Sequence, residues 1–129
     1  MATNILIVED EDSVRHALSK ILENYGYVVT CAADAEAGIN AFDAAAGAVG
    51  MDLVLTDLSL PGMSGWELAD AIKGRNTGIP VILLSGWDID PEDVKKHKNV
   101  EMILSKPVRI KDMLAAIAEL AASRTEGKG

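Results

Sequence analysis

Short, uninterrupted apolar runs most constrain what this chain can fold into. They are NILIV (4–8), LVLT (53–56), VILLS (81–85) and MILS (102–105), with the more mixed YVVTCA (27–32) beside them. Runs this short, without polar alternation, suit strands covered on both faces. Between them lie stripes at helical spacing. Val14, Leu18, Ile21, Leu22 and Tyr25 form one, stopped by Gly26; Ala37, Ala41, Phe42 and Ala45 form another, with Asp34 as N-cap. SGWE (64–67) has the spacing of a capping box ahead of Leu68, Ala71 and Ile72. Asp90 and Pro91 read as the N-cap and first position of a short helix ending near Lys98. Ile110, Met113, Leu114, Ile117 and Ala121 mark the last helix. A β-α unit repeated along the chain predicts an α/β fold: one doubly wound (βα)5 domain, its parallel sheet flanked by helices on both faces.

At 129 residues the chain has the length of one domain, enough for a substantial core. The domain is expected to span 1–122. SRTEGKG (123–129) is expected to be a flexible polar tail. Its GKG lacks the spaced glycine and the Ser/Thr of a phosphate-binding P-loop. The formal charge of −8 argues against direct nucleic-acid binding, which needs clustered Lys and Arg, while leaving basic protein partners open. A single cysteine, Cys31, excludes an internal disulfide, fits a reducing compartment, and reads as a small buried strand residue. The N-terminus turns acidic too early for a signal peptide, and no apolar run approaches the ~20 residues of a membrane span. The expectation is a cytoplasmic domain without membrane insertion.

In open α/β sheets, ligands bind beyond the carboxyl ends of the strands, where the strand order reverses. The informative residues therefore follow the apolar runs. Glu9 and Asp10 follow the first, Asp57 the third, Ser85 closes the fourth, and Lys106 follows the fifth. A parallel sheet brings all of them to one edge. Asp52 starts the strand that Asp57 ends, roughly 17 Å away, and reads as a polar strand start. Neighbouring carboxylates repel one another, and a divalent cation removes that penalty. An all-oxygen set suits Mg²⁺. His16 and His97 are remote from the strand ends, against a zinc site. EDED (9–12) lacks the spacing and central glycine of a calcium loop. A carboxylate can attack a phosphoryl group and form an aspartyl phosphate, with the cation offsetting charge on the transferring group. Lys106 offers a point charge and Ser85 a hydroxyl to the phosphoryl oxygens. Asp57, on the central strand, is the best candidate nucleophile.

With ILIVED (5–10), LVLTDLSLPGMSG (53–65), VILLSG (81–86) and LSKP (104–107) in this order, the chain resembles the receiver domain of two-component response regulators over about residues 4–122. The resemblance implies a sheet in order 2-1-3-4-5. It implies Asp57 as phosphoacceptor, supplied by a histidine kinase or histidine phosphotransfer protein. It implies Mg²⁺ held by Asp10, Asp57 and the Ser59 carbonyl, with Glu9 acting through water. Ser85 would be the switch hydroxyl, Lys106 the phosphate-pairing base, and Lys106–Pro107 a cis peptide. Output would pass to a protein partner through the face of the fourth predicted helix, fifth strand and last helix, a face that also offers a homodimer contact. No output domain is expected after residue 122. Three positions depart from the common pattern. Ile103 stands where an aromatic often rotates on activation, so a ring-flip switch is not expected. Val108 replaces a frequent Phe after the Lys-Pro pair. Trp87 stands at a variable position which, with Ser59, looks important for tuning dephosphorylation.

Taken singly, these residues have plainer readings. Trp66 reads as packing, KKHK (95–98) as a solvated helix end, and Glu11 and Asp12 as solvated or capping the first helix. Trp87 reads equally as an interaction residue or a loop anchor. Three other functions compete. A phosphorylation-independent interaction module would keep the fold with a silent site. A dehalogenase-type phosphatase would need a second acid where Ser59 stands. A flavin protein of flavodoxin type would need a phosphate loop where this chain has EDED.

Overall fold

The apolar runs become the strands of one parallel sheet in the computed structural model of the chain. It describes residues 3–47, 50–86, 92 and 98–128, the side chains of 123–128 excepted. The strands are β1 (Asn4–Val8), β2 (Val28–Ala32), β3 (Leu53–Asp57), β4 (Val81–Ser85) and β5 (Met102–Ser105). They lie in order β2-β1-β3-β4-β5, all neighbours parallel. The helices are α1 (Asp12–Asn24), α2 (Ala35–Ala46), α3 (Gly65–Arg75) and the C-terminal α4 (Ile110–Lys128). Of the short helix expected over 90–98, only Glu92 and Lys98 are described; Trp87 and His97 also lie outside the described residues.

Alternate strand residues feed two cores, because successive side chains leave opposite faces of a sheet. Leu6, Val8 and Val54 pack with Phe42 of α2 and with Leu68 and Ile72 of α3. Ile5, Ile7, Leu53 and Leu55 pack with Leu22 of α1 and with Met113 and Ile117 of α4. The central strands β3 and β4 are buried along their whole length, which is why their sequences carry no alternation.

The helix boundaries follow local chemistry. Asp34 Oδ1 accepts the Ala37 N–H at 2.8 Å. Ser64 and Glu67 form the reciprocal capping box at the start of α3. Gly26, at φ 91°, lets the chain leave α1 in the left-handed region that L side chains rarely adopt. Asp52 caps the far end of the sheet, where its Oδ2 accepts the Asn4 N–H at 2.8 Å. Trp66 is half-buried on α3.

One expectation needs correction. Cys31 is exposed, not buried, because β2 is an edge strand and only Ala32 of its residues is fully buried. The backbone of the last helix is helical to Lys128. Residues 123–126 contain no proline or glycine, and the first strong helix breaker is Gly127. No helix among the described residues is long and apolar enough to cross a membrane.

Candidate functional site

The strand register assembles the site. Val8 pairs with Thr56 and Asp57 with Leu84. The residue after Val8, Glu9, therefore lies level with Asp57 across the β1/β3 pair. Ser85 closes β4 beside Ser105 of β5, and Lys106 follows, its N–H bonded to the Ser85 carbonyl at 2.7 Å. The Lys106–Pro107 bond is cis.

Carboxylate oxygens of Glu9, Asp10 and Asp57 come within 4.8 Å of one another. Lys106 joins them: its Nζ lies 3.0 Å from Asp57 Oδ2 and 3.1 Å from Glu9 Oε1. Glu9 and Asp57 are buried, whereas Asp10 is exposed on the loop before α1. Glu9 Oε2 accepts the Glu11 N–H at 3.0 Å. A cleft of about 690 Å³ opens over the group, lined also by Ser59 and the apolar Val14, Leu18 and Val108. Ser85 is buried at the end of β4, and Ser59 is exposed in the loop after β3. Ile103 is half-buried on edge strand β5, opposite Leu83. His16 is exposed on α1.

The electrostatics follow from burial. Loss of water pushes the Glu9 carboxyl above its ordinary 4.5, although the Glu11 N–H and the Lys106 ammonium pull it down; Asp10 and Asp57 reinforce the rise. Burial alone would lower Lys106, but its bonds to Asp57 and Glu9 outweigh that and lift it above 10.5. Lys106 is therefore charged at neutral pH and offsets part of the carboxylate repulsion. The donor set is all-oxygen, anionic and half-open to solvent, and it fits Mg²⁺, which keeps several waters and takes few carboxylates.

A pH dependence follows. Folded Glu9 binds its proton more tightly than unfolded Glu9, so its contribution to stability is full below about 4.5 and is lost as pH rises through its raised folded value. In metal-free buffer, the stability of the parent relative to Glu9→Gln is expected to fall over that window. Urea unfolding of both proteins across pH checks this, and a pH-independent difference would contradict it.

Two contributors to the site lay hidden in the sequence. Arg15 Nη1 donates to the Glu9 carbonyl at 2.8 Å, and its Nη2 bonds the Asp12 carboxylate. The only sequence signal was its i,i+3 spacing from Asp12. Gly65, the first residue of α3, sits so close to β3 that a Cβ built on it would lie 2.5 Å from the Asp57 carbonyl oxygen. Nothing in SGWE distinguishes such a contact from ordinary capping.

The profile of the family described as "Response regulator receiver domain" matches residues 5–118. Among curated proteins, the chain is 38% identical over 125 residues to the uncharacterized transcriptional regulatory protein YkoG of Bacillus subtilis, covering 96% of this chain and 52% of YkoG. It is 34% identical over 119 residues to the sensory transduction protein RegX3 of Mycobacterium tuberculosis, covering 89% of this chain and 49% of RegX3. The chain thus spans about half the length of these relatives. Among solved structures, the CheY-like receiver domain protein of Methanospirillum hungatei superposes with a TM-score of 0.86 at 29% identity, covering 100% of both chains.

Proposed function

The chain belongs to the response regulator receiver domain family of two-component signalling, and on that premise we propose that it is a phosphorylation switch with Asp57 as acceptor. The donor is a histidine kinase or histidine phosphotransfer protein, and the setting is cytoplasmic. One observation carries the reading: a buried strand-end carboxylate, Asp57, bonded to Lys106 and within 4.8 Å of two further carboxylates.

Asp10, Asp57 and the Ser59 carbonyl would hold Mg²⁺, with Glu9 acting through water. Bound there, the cation would offset charge on the transferring phosphoryl oxygens. An Asp57 carboxylate oxygen forms the new bond to phosphorus as the phosphorus–nitrogen bond to the donor histidine breaks. The electron pair leaves with the imidazole nitrogen, which takes up a proton. Lys106, already paired with Asp57, supplies positive charge to the phosphoryl oxygens. Ser85, buried at the end of β4, supplies a hydroxyl hydrogen bond. Drawing Ser85 toward the acyl phosphate shifts the end of β4 and biases the face of β5 and α4. Ile103 transmits this shift by packing, since an aliphatic side chain has no ring to rotate. The readout is contact with an output protein, or a second copy of the chain, on that face, where Ile110 is exposed.

A titration with Mg²⁺ tests the metal half of the reading. Asp10→Ala is expected to weaken Mg²⁺ at least about tenfold, since changes merely behind a metal ligand cost that much. Equal affinity in variant and parent would remove Asp10 from the ligand set.

A further inference from the structure

We propose that Arg15 is a positioning residue that aims Asp10 at the cation, an inference that rests on the Mg²⁺ reading above. Between the end of β1 at Val8 and the start of α1 at Asp12, the chain must turn and present its acids to Asp57. The turn is fixed from two sides. On the β2 side, the Glu9 N–H donates to the Ala32 carbonyl at 3.1 Å. On the α1 side, Arg15 Nη1 donates to the Glu9 carbonyl at 2.8 Å. That carbonyl belongs to the peptide joining Glu9 to Asp10, so its rotation sets where the Asp10 side chain leaves the backbone.

The planar guanidinium can hold two acceptors at once, and it does: its second nitrogen bonds Asp12. The Asp12 side chain is 91% exposed, so as an ion pair this bond contributes little to stability. Its consequence is orientational: it keeps the fork turned toward the Glu9 carbonyl.

Arg15 exerts two opposed effects on a bound cation. As a positive charge close to the acidic loop it repels Mg²⁺. As a brace it pre-arranges Asp10. Removing it therefore discriminates by sign. If only the charge mattered, Arg15→Gln would tighten Mg²⁺ binding; if the brace matters more, the same change weakens it.

The test is a Mg²⁺ titration of the full chain followed by backbone amide chemical shifts, with thermal unfolding in parallel, for the parent, Arg15→Gln and Arg15→Lys. Arg15→Gln is expected to bind about tenfold more weakly, the scale of losses behind a metal ligand. The Asp10 amide signal is expected to move before any Mg²⁺ is added. Arg15→Lys keeps the charge but lacks the fork, so its expected weakening reports geometry alone. Unchanged or tighter binding in a folded Arg15→Gln would overturn the proposal. Should that variant not fold, Arg15→Lys decides: binding equal to the parent overturns the proposal and weaker binding supports it. A parent chain that itself shows no Mg²⁺ binding would overturn the metal reading and this inference together, and is told apart because it appears without any mutation.

Discussion

Asp57→Ala is expected to abolish phosphoryl uptake while leaving the domain folded. The loss should be at least about a thousandfold, because removing the attacking atom leaves only binding and charge stabilisation. Neither neighbouring acid can take over. Glu9 is buried, with one oxygen on Lys106 and the other on the Glu11 N–H. Asp10 is exposed on the β1–α1 loop and, in the reading proposed above, is committed to the cation. The fold should survive because the substitution removes the repulsion of Asp57 on Glu9 while costing Lys106 one partner. Phosphoryl transfer from a phosphorylated histidine phosphotransfer domain, followed alongside circular dichroism, checks both halves. A folded variant that still accepts phosphoryl groups at the parent rate would move the acceptor elsewhere.

Gly65→Ala is expected to be the most damaging small substitution outside the acidic group. A Cβ at this position would lie 2.5 Å from the Asp57 carbonyl oxygen, 2.6 Å from Leu83 Cδ1 and 2.9 Å from Leu58 Cα. Two of those atoms are backbone and cannot swing aside. The Gly65 N–H also donates to the Leu58 carbonyl at 2.7 Å, so α3 is tied where it is. Either α3 lifts off the sheet or the end of β3 shifts. Overpacking of this kind costs about 3 kcal/mol, which for a domain of this size lowers the melting temperature by roughly 10 °C. A shift of β3 also moves Asp57 relative to Lys106, so phosphoryl uptake should slow in the folded fraction. Gly74→Ala on the same helix is the control. A Cβ there meets nothing within 4 Å, and replacing a helical glycine should stabilise by up to about 1 kcal/mol. Thermal unfolding of the two variants checks the contrast, and similar melting points would contradict it.

The sheet was legible because its central strands are buried on both faces and so are written as unbroken apolar runs. The second strand was legible too, but the burial expected of Cys31 was not realised. YVVTCA mixes polar and apolar residues because it forms an edge, and Cys31 faces solvent rather than the core. The convergence of Glu9, Asp10, Asp57 and Lys106 was legible because parallel topology brings every strand end to one edge. What supports them was not. Arg15 acts through a backbone carbonyl and Gly65 through a close approach, and both depend on distances that periodicity does not encode.

The central claim is a Mg²⁺-dependent acyl phosphate on Asp57. Intact mass after incubation with acetyl phosphate, with Mg²⁺ or with a chelator, reads it most directly. The account predicts a single phosphoryl adduct on the parent that requires Mg²⁺ and is absent from Asp57→Ala. An adduct that persists in Asp57→Ala, or forms equally well with chelator, would contradict it. So would a parent chain that neither gains mass nor responds to beryllofluoride in tryptophan fluorescence, which would leave a phosphorylation-independent interaction module in its place.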